Sequence, residues 1–345
     1  MKDNARISVV LASDDNYFRG LLVTAFTIAK NCSRPRDLLF YILDGGISDS
    51  NKRFLRDLLA RYGCQTWIID VANEKTISGF RPYHGSTMTY ARLLLPDLLP
   101  SVEKVVYSDV DVLWLADIAL LWNVLNTDSI IHCVPPNPHA FPQDRSVEAE
   151  WMNNHGFQPR MERRFCAGVL VFNLRKFRDE GLHLKMLSTL VANHGEVPCN
   201  DETILNAFMF QRDDVGMLDF KWQIGMGNVK AIPPDCEFVL HFAADTPWKT
   251  IHANHHMLTD AILLWHKIYA AASGTTVWNS LRKCNSPFDI IAGRMFYLSA
   301  SRCAFVRVIL RVLMRLTGRS GGISCVMAFA VKSRLADMLR LYRRR

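Results

Sequence analysis

The segment KVVYSDVDVLWLADIALLW, Lys104–Trp122, ends an apolar run in two carboxylates one residue apart, Asp109 and Asp111. In an extended backbone side chains alternate, so both acids point to the same side. Neighbouring carboxylates repel unless one keeps its proton or a cation lies between them. A hard divalent cation such as Mn²⁺ or Mg²⁺ removes the repulsion and completes its shell with substrate phosphates. Solvated strand-end turns carry the same spacing, so the pair alone decides nothing.

Such a pair works only where the fold carries it to a ligand-binding edge. ISVVLA (Ile7–Ala12), LLFYIL (Leu38–Leu43) and QTWIID (Gln65–Asp70) read as strands. Between them YFRGLLVTAFTIAKNC and SDSNKRFLRDLLARYG repeat at helical spacing, the second with Ser48 as its expected cap and Gly63 at its end. This alternation predicts an α/β fold, a Rossmann-like and mostly parallel twisted sheet flanked by helices. Ligands bind beyond the carboxyl ends of such strands. Ser13–Asp14–Asp15–Asn16 ends the first strand and Asp109–Asp111 the fourth, which places two acidic clusters on one edge. Pro135–Phe165 lacks periodicity and is rich in Pro, Asn, His and aromatics, so it is expected to be a long functional loop. Asp144, Trp151 and His155 are its candidate ligand contacts. AGVLVFNLRKF predicts a strand and a turn, and CNDETILNAFMF a helix capped by Asn200 or Asp201.

The 345 residues carry a formal charge of +8, but unevenly. Ala271–Arg345 holds 14 Lys/Arg against Asp289 and Asp337, a surplus of +12, which leaves −4 for residues 1–270. A basic stripe of this kind, with Arg307, Arg311, Arg315 and Arg319 on one helix face, suits an anionic membrane surface or a solvated helix packed on the body. Nucleic acid is not expected, because the basicity is confined to the tail and no binding motif accompanies it. The nine cysteines show no CxxC spacing among Cys32, Cys64, Cys133 and Cys166, as expected of buried thiols in a reducing compartment. The N-terminal apolar stretch is too short for a signal peptide, and no apolar run reaches 18 residues, so a cytoplasmic body is expected. The expected division is a body over residues 1–270 and a helical, membrane-associating tail over 271–345.

Seven ordered blocks resemble glycosyltransferase family 8, the retaining enzymes that include lipopolysaccharide galactosyl- and glucosyltransferases. They are LASDDNY, YILDGGIS, HGSTMTYARLLLPDLLP, the SDVD block, FCAGVLVFNLRKFR, NDETILN and VLHFAADTPWK, spread over Ile7–Lys249. The resemblance implies a GT-A fold that binds a UDP-sugar with Mn²⁺ or Mg²⁺ and transfers the sugar with retention. It further implies Asp109, Asp111 and His241 as metal ligands and Ala12, Asp14, Asn16 and Tyr17 around uridine. His84, Arg92, Cys166 and Lys249 are then donor-binding residues. Asp201 and Glu202 stand at the reacting sugar, with Glu202 where the best-known members have Gln. The implied acceptor is a glycan or lipid-linked saccharide, and the implied place is the inner face of the cell membrane.

Three positions depart from the family pattern. Cys166 replaces an Asn, and Ala244 and Thr246 replace a Gly and a Lys in the last block. A sugar-nucleotide-binding scaffold without turnover is therefore an alternative. Another is a haloacid-dehalogenase-like phosphatase, in which Asp109 is the nucleophile and Asp111 the general acid.

Overall fold

The computed structural model describes residues 6–82, 85–124, 128–135, 146–225, 237–243, 246–248 and 259–282. The basic tail beyond residue 282, His84, Asp144 and Lys249 lie outside them. Met1–Asn228 with Pro233–Ala244 form one compact unit, and Val229–Ile232 with Asp245–Arg345 a second.

In the first unit, β1 (Ile7–Ser13) is buried along its whole length and β2 (Leu38–Asp44) everywhere but at half-buried Tyr41, because both sheet faces are covered. They pair in parallel with each other, β2 with β3 (Gln65–Asp70), and β1 with β4 (Lys104–Ser108). β4 then pairs antiparallel with β7 (Val169–Asn173), and β7 antiparallel with β6 (Ile131–Cys133). β8 (Val215–Met217) runs parallel to β6 and completes a seven-stranded sheet of order β3-β2-β1-β4-β7-β6-β8. The mostly parallel sheet expected from the sequence is present, with antiparallel pairing confined to β7.

A smaller sheet does the positioning. β5 (Val112–Trp114), directly after the acidic pair, lies antiparallel to β10 (Val239–His241), which also pairs with β9 (Ile224–Gly225). Helix α1 (Phe18–Asn31) is apolar nearly all round and buried, as such a pattern requires. Its few polar groups serve the acidic loop: Thr24 Oγ1 lies 2.7 Å from the Val112 carbonyl and 3.0 Å from that of Val110. Asn31 Nδ2 donates to the Trp114 carbonyl at 2.6 Å.

Three local expectations are corrected. Within Pro135–Phe165, residues Ser146–Asn154 form a helix, here α6, after α2 (Asp49–Ala60), α3 (Lys75–Ser78), α4 (Leu95–Leu98) and α5 (Ile118–Val124). Its buried face carries Glu148 beside Met152, so a charged residue broke the apolar rhythm that would have marked it. β7 runs into a helix, α7 (Leu174–Asp179), rather than a turn, and α8 (Leu182–Ala192) follows. Helix α9 (Asn200–Met209) has Cys199 at its cap position and no side-chain cap bond. Asn200 takes a left-handed φ of 53° and Asp201 turns inward. Ser48 does stand at the cap position of α2, but its side chain bonds no helix amide there.

In the second unit, α10 (Thr259–Ser273) ends at Gly274, whose φ of 69° suits glycine, and α11 (Val277–Arg282) follows. Trp265 stacks on Tyr269 with centroids 5.4 Å apart, and His266 Nδ1 lies 2.7 Å from Ser280 Oγ in the buried seam of the two helices.

Candidate active site

β4 delivers Asp109 to the carboxyl edge of the large sheet, where the Asp109 amide donates to the Gly168 carbonyl at 2.8 Å. Two residues on, Asp111 accepts at its carbonyl from the Phe242 amide at 3.0 Å, continuing the β5–β10 ladder. Those two backbone bonds bring His241 to the pair. Its Nε2 lies 3.3 Å from Asp111 Oδ1 and 3.9 Å from Asp109 Oδ2, and one donor atom from each of the three falls within a 4.8 Å cluster. Two carboxylates and one imidazole are the ligand set of a hard or borderline divalent ion.

Gly168 makes the cradle possible. A Cβ there would stand 2.5 Å from the imidazole Cε1, so only glycine leaves the ring its place. Cys166 Sγ lies 3.6 Å from His241 Nδ1. Burial opposes charge on the imidazole, but Asp111 raises its pKa well above the usual histidine value. Burial also pushes Asp109 up to about 6, with Asp111 adding to it and Arg92 opposing. Asp111 goes the other way: burial would raise it, and His241 outweighs that.

Arg92 is the organising cation. It lies in the 3-10 turn Met88–Leu94, is 2% exposed, and stands over the Tyr107 ring at 4.3 Å. Its Nη2 meets Asp109 Oδ1 at 2.6 Å, its Nε meets Asp201 Oδ2 at 2.9 Å, and its Nη1 donates to the Ala167 carbonyl. Asp201 also accepts from Thr89 Oγ1. Burial raises the Asp201 carboxyl, with Arg92 opposing.

Behind this, Glu202 is held by two residues that the sequence did not single out, Arg164 directly and Glu148 through it. Arg164 Nε donates to Glu148 Oε2 at 2.7 Å and its Nη2 to Glu202 Oε1; Glu202 Oε2 accepts from the Ala167 amide at 2.8 Å. Glu148 Oε1 accepts from Thr203 Oγ1 at 2.9 Å. Burial would raise Glu202, but Arg164 and the Ala167 amide hold it below the usual carboxylate range. The ERR run before Phe165 was the available signal for Arg164, but nothing in its spacing tells a buried arginine from a solvated one.

The expected uridine residues lie at the end of β1, next to β4, with which β1 pairs up to Leu11–Ser108. Ala12 is buried and Asn16 exposed. Asp14 accepts from the Tyr17 amide at 3.2 Å through Oδ1 and from Ser86 Oγ at 2.8 Å through Oδ2. The fold thus gathers Arg92, Asp109, Asp111, Cys166, Asp201, Glu202 and His241 into one connected set. Trp151 and His155 stack on each other, 4.2 Å between centroids, on and just after α6.

Comparison with known proteins gives one consistent result. Residues 8–252 match Glycosyl transferase family 8. A Haemophilus influenzae relative that carries a glycosyltransferase designation is 28% identical over 206 residues, 58% of each chain. Arabidopsis thaliana galacturonosyltransferase-like 9 is 26% identical over 238 residues, 66% of this chain and 61% of its own. The chain thus spans about three fifths of the length of these two relatives. The galactosyltransferase LgtC, solved with donor and acceptor sugar analogues, superposes with a TM-score of 0.62 at 24% identity, covering 77% of this chain and 96% of its own. The fold is GT-A, and the chain belongs to glycosyl transferase family 8.

Proposed function

We propose that the chain is a metal-dependent retaining glycosyltransferase. It moves a neutral hexose, glucose or galactose, from a UDP-sugar to a saccharide acceptor of the lipopolysaccharide or other lipid-linked type. The observation that carries this reading is the meeting of Asp109 and Asp111 with His241, delivered by a distant strand to within one cluster of donor atoms. Mn²⁺ or Mg²⁺ on these three residues would supply a Lewis acid for the departing diphosphate. Ala12, Asp14, Asn16 and Tyr17 hold the uridine, and Arg92 and Asp201 orient the sugar. His84, Cys166 and Lys249 complete the donor site. Glu202 stands near the reacting carbon, and the acceptor proton leaves to a UDP phosphate oxygen.

A neutral hexose is favoured over a uronic acid by the arrangement of charge. Arg92 already pairs with Asp109 and Asp201, and Arg164 with Glu148 and Glu202. Neither guanidinium is spare for a sugar carboxylate, and the acids around them repel one. Against the phosphatase alternative, Asp109 is bound to Arg92 and set against His241, which suits a fixed ligand better than a free nucleophile.

The tail over residues 271–345 is proposed to hold the body, residues 1–270, on the anionic inner face of the cell membrane. No helix among the described residues is long and apolar enough to cross a membrane. If a chain cut near Gly274 sediments with anionic vesicles as fully as the intact chain, the tail is not the anchor.

One assay tests the activity: UDP release from UDP-glucose, UDP-galactose and UDP-galacturonate with and without Mn²⁺. Metal-dependent release from a neutral hexose donor is expected. Phosphate release from sugar phosphates would favour the phosphatase, and UDP-sugar binding without turnover the scaffold.

A further inference from the structure

Glu148, Arg164 and Glu202 come from three separate segments, α6, the approach to β7 and the first turn of α9. The bonds among them run in one direction. The Cys199 amide donates to Thr203 Oγ1, which donates to Glu148; Arg164 bridges Glu148 and Glu202; the Ala167 amide closes on Glu202. Every donor faces an acceptor, so the network has no second arrangement of protons that satisfies it.

Two carboxylates share one guanidinium here, which leaves a surplus negative charge. Glu148 has a side chain only 4% exposed, against 20% for Glu202, so the surplus rests on Glu202 at the open side. Both Glu202 oxygens are committed, one to Arg164 and one to the Ala167 amide. An oxygen bound in this way is a poor nucleophile and a well-fixed electrostatic group. The other charged and titratable groups around Glu202 are Cys166 beside β7, Cys199 and Asp201 at the head of α9, and Arg92 from the Met88–Leu94 turn. Among these, the side chain bonded directly to the carboxylate at full charge is Arg164.

We propose that Arg164, held in turn by Glu148, is a positioning residue that fixes Glu202 as a permanent anion at the reacting sugar carbon. There it stabilises developing positive charge without forming a bond to that carbon. The proposal rests on the retaining-transferase reading and assigns Arg164 and Glu148, which that reading leaves without a role. In the step it describes, the bond from the sugar carbon to the UDP oxygen breaks and its electron pair leaves with UDP. The acceptor oxygen bonds the same face and loses its proton to the diphosphate.

The test uses the full-length chain with Mn²⁺ and whichever of UDP-glucose and UDP-galactose it hydrolyses faster. Glu202→Gln and Arg164→Met should each lower kcat by about 10²-fold or more, the scale of losing one fixed transition-state charge, with donor KM within about twofold. The double variant should be no worse than the poorer single, because the two act as a unit. Arg164→Lys should recover about tenfold over Arg164→Met, since an ammonium keeps the charge without the fork. Should Arg164→Met fail to fold, Arg164→Lys and Glu202→Gln carry the test. Parental kcat in Glu202→Gln, a raised donor KM with unchanged kcat in either arginine variant, or a hexose adduct on Glu202 by intact-mass spectrometry overturns the proposal while the transferase reading stands. No turnover by the parent chain overturns both.

Discussion

The Asp109–Asp111–His241 cluster and the Glu148–Arg164–Glu202 cluster use similar side chains and meet at one residue, Ala167. The Ala167 amide serves the second and the Ala167 carbonyl, through Arg92, serves the first. The second is closed: its carboxylates face a guanidinium, hydroxyl or amide with hydrogen-bond geometry. In the first, two carboxylates each bring an oxygen into one 4.8 Å cluster, and the side chain set against Asp111 is the His241 imidazole at 3.3 Å. The closed set holds α6 and α9 to the sheet. The open one keeps like charges side by side, the arrangement of groups that can hold a cation. Stability and function should therefore separate between them.

The largest effect breaks the open cluster. Asp109→Asn or Asp111→Asn should lower Mn²⁺-dependent UDP release by on the order of 10³-fold, and EDTA should abolish it until Mn²⁺ is restored. Without metal, Asp109→Asn should cost the fold little. The amide still accepts from Arg92, and a carboxylate whose folded pKa lies above its unfolded 3.8 loses stability for the fold as pH rises between those values. A thermal melt lowered by many degrees in that variant would erase the contrast.

In the closed cluster the expectation reverses. Glu148→Ala should destabilise by about 1–3 kcal/mol in urea unfolding, because it leaves the buried Arg164 Nε and Thr203 Oγ1 without their acceptor while Arg164 keeps Glu202. Mn²⁺ affinity in the protein that remains folded should stay at its parental value. Gly168→Ala sharpens the comparison from the metal side: the added methyl must displace the His241 ring, weakening Mn²⁺ binding about 10- to 100-fold by calorimetry.

A smaller effect reads a control at the end of β2. Asp44 accepts from the Gly46 amide at 2.9 Å, the Ile47 amide at 2.5 Å and Lys52 Nζ at 2.8 Å. Burial would raise its carboxyl, but Lys52 and the two amides hold it below the usual range. Its stabilisation is thus present above the unfolded carboxylate pKa and lost as pH falls through the lowered folded value. Asp44→Ala should cost about 1–3 kcal/mol at pH 7 and progressively less in acid, measured by chemical denaturation at several pH values.

The strands and the acidic pair were legible in the sequence because their signals are local: continuous apolar runs ending in SDD and SDVD. His241 was legible only through the resemblance, since nothing near it in sequence distinguishes a ligand from a packed ring. The clamp on Glu202 was not legible. Arg164 sits beside two other charges in MERRF, and Glu148 reads as a solvated acid until α6 turns it inward. The cap expected at Asn200–Asp201 failed for a related reason. The tertiary demand of Arg92 for Asp201 outweighs the local preference of an acid for a helix start.

The third ligand arrives late. Asp109 and Asp111 are synthesised more than a hundred residues before His241, and β10 has to dock on β5 before the imidazole reaches them. A polypeptide still emerging from the ribosome at residue 225 would hold both acids and the large sheet, yet lack the third side chain of the candidate metal cluster. On the proposed reading, capture of a divalent ion would therefore report completion of the second, smaller sheet.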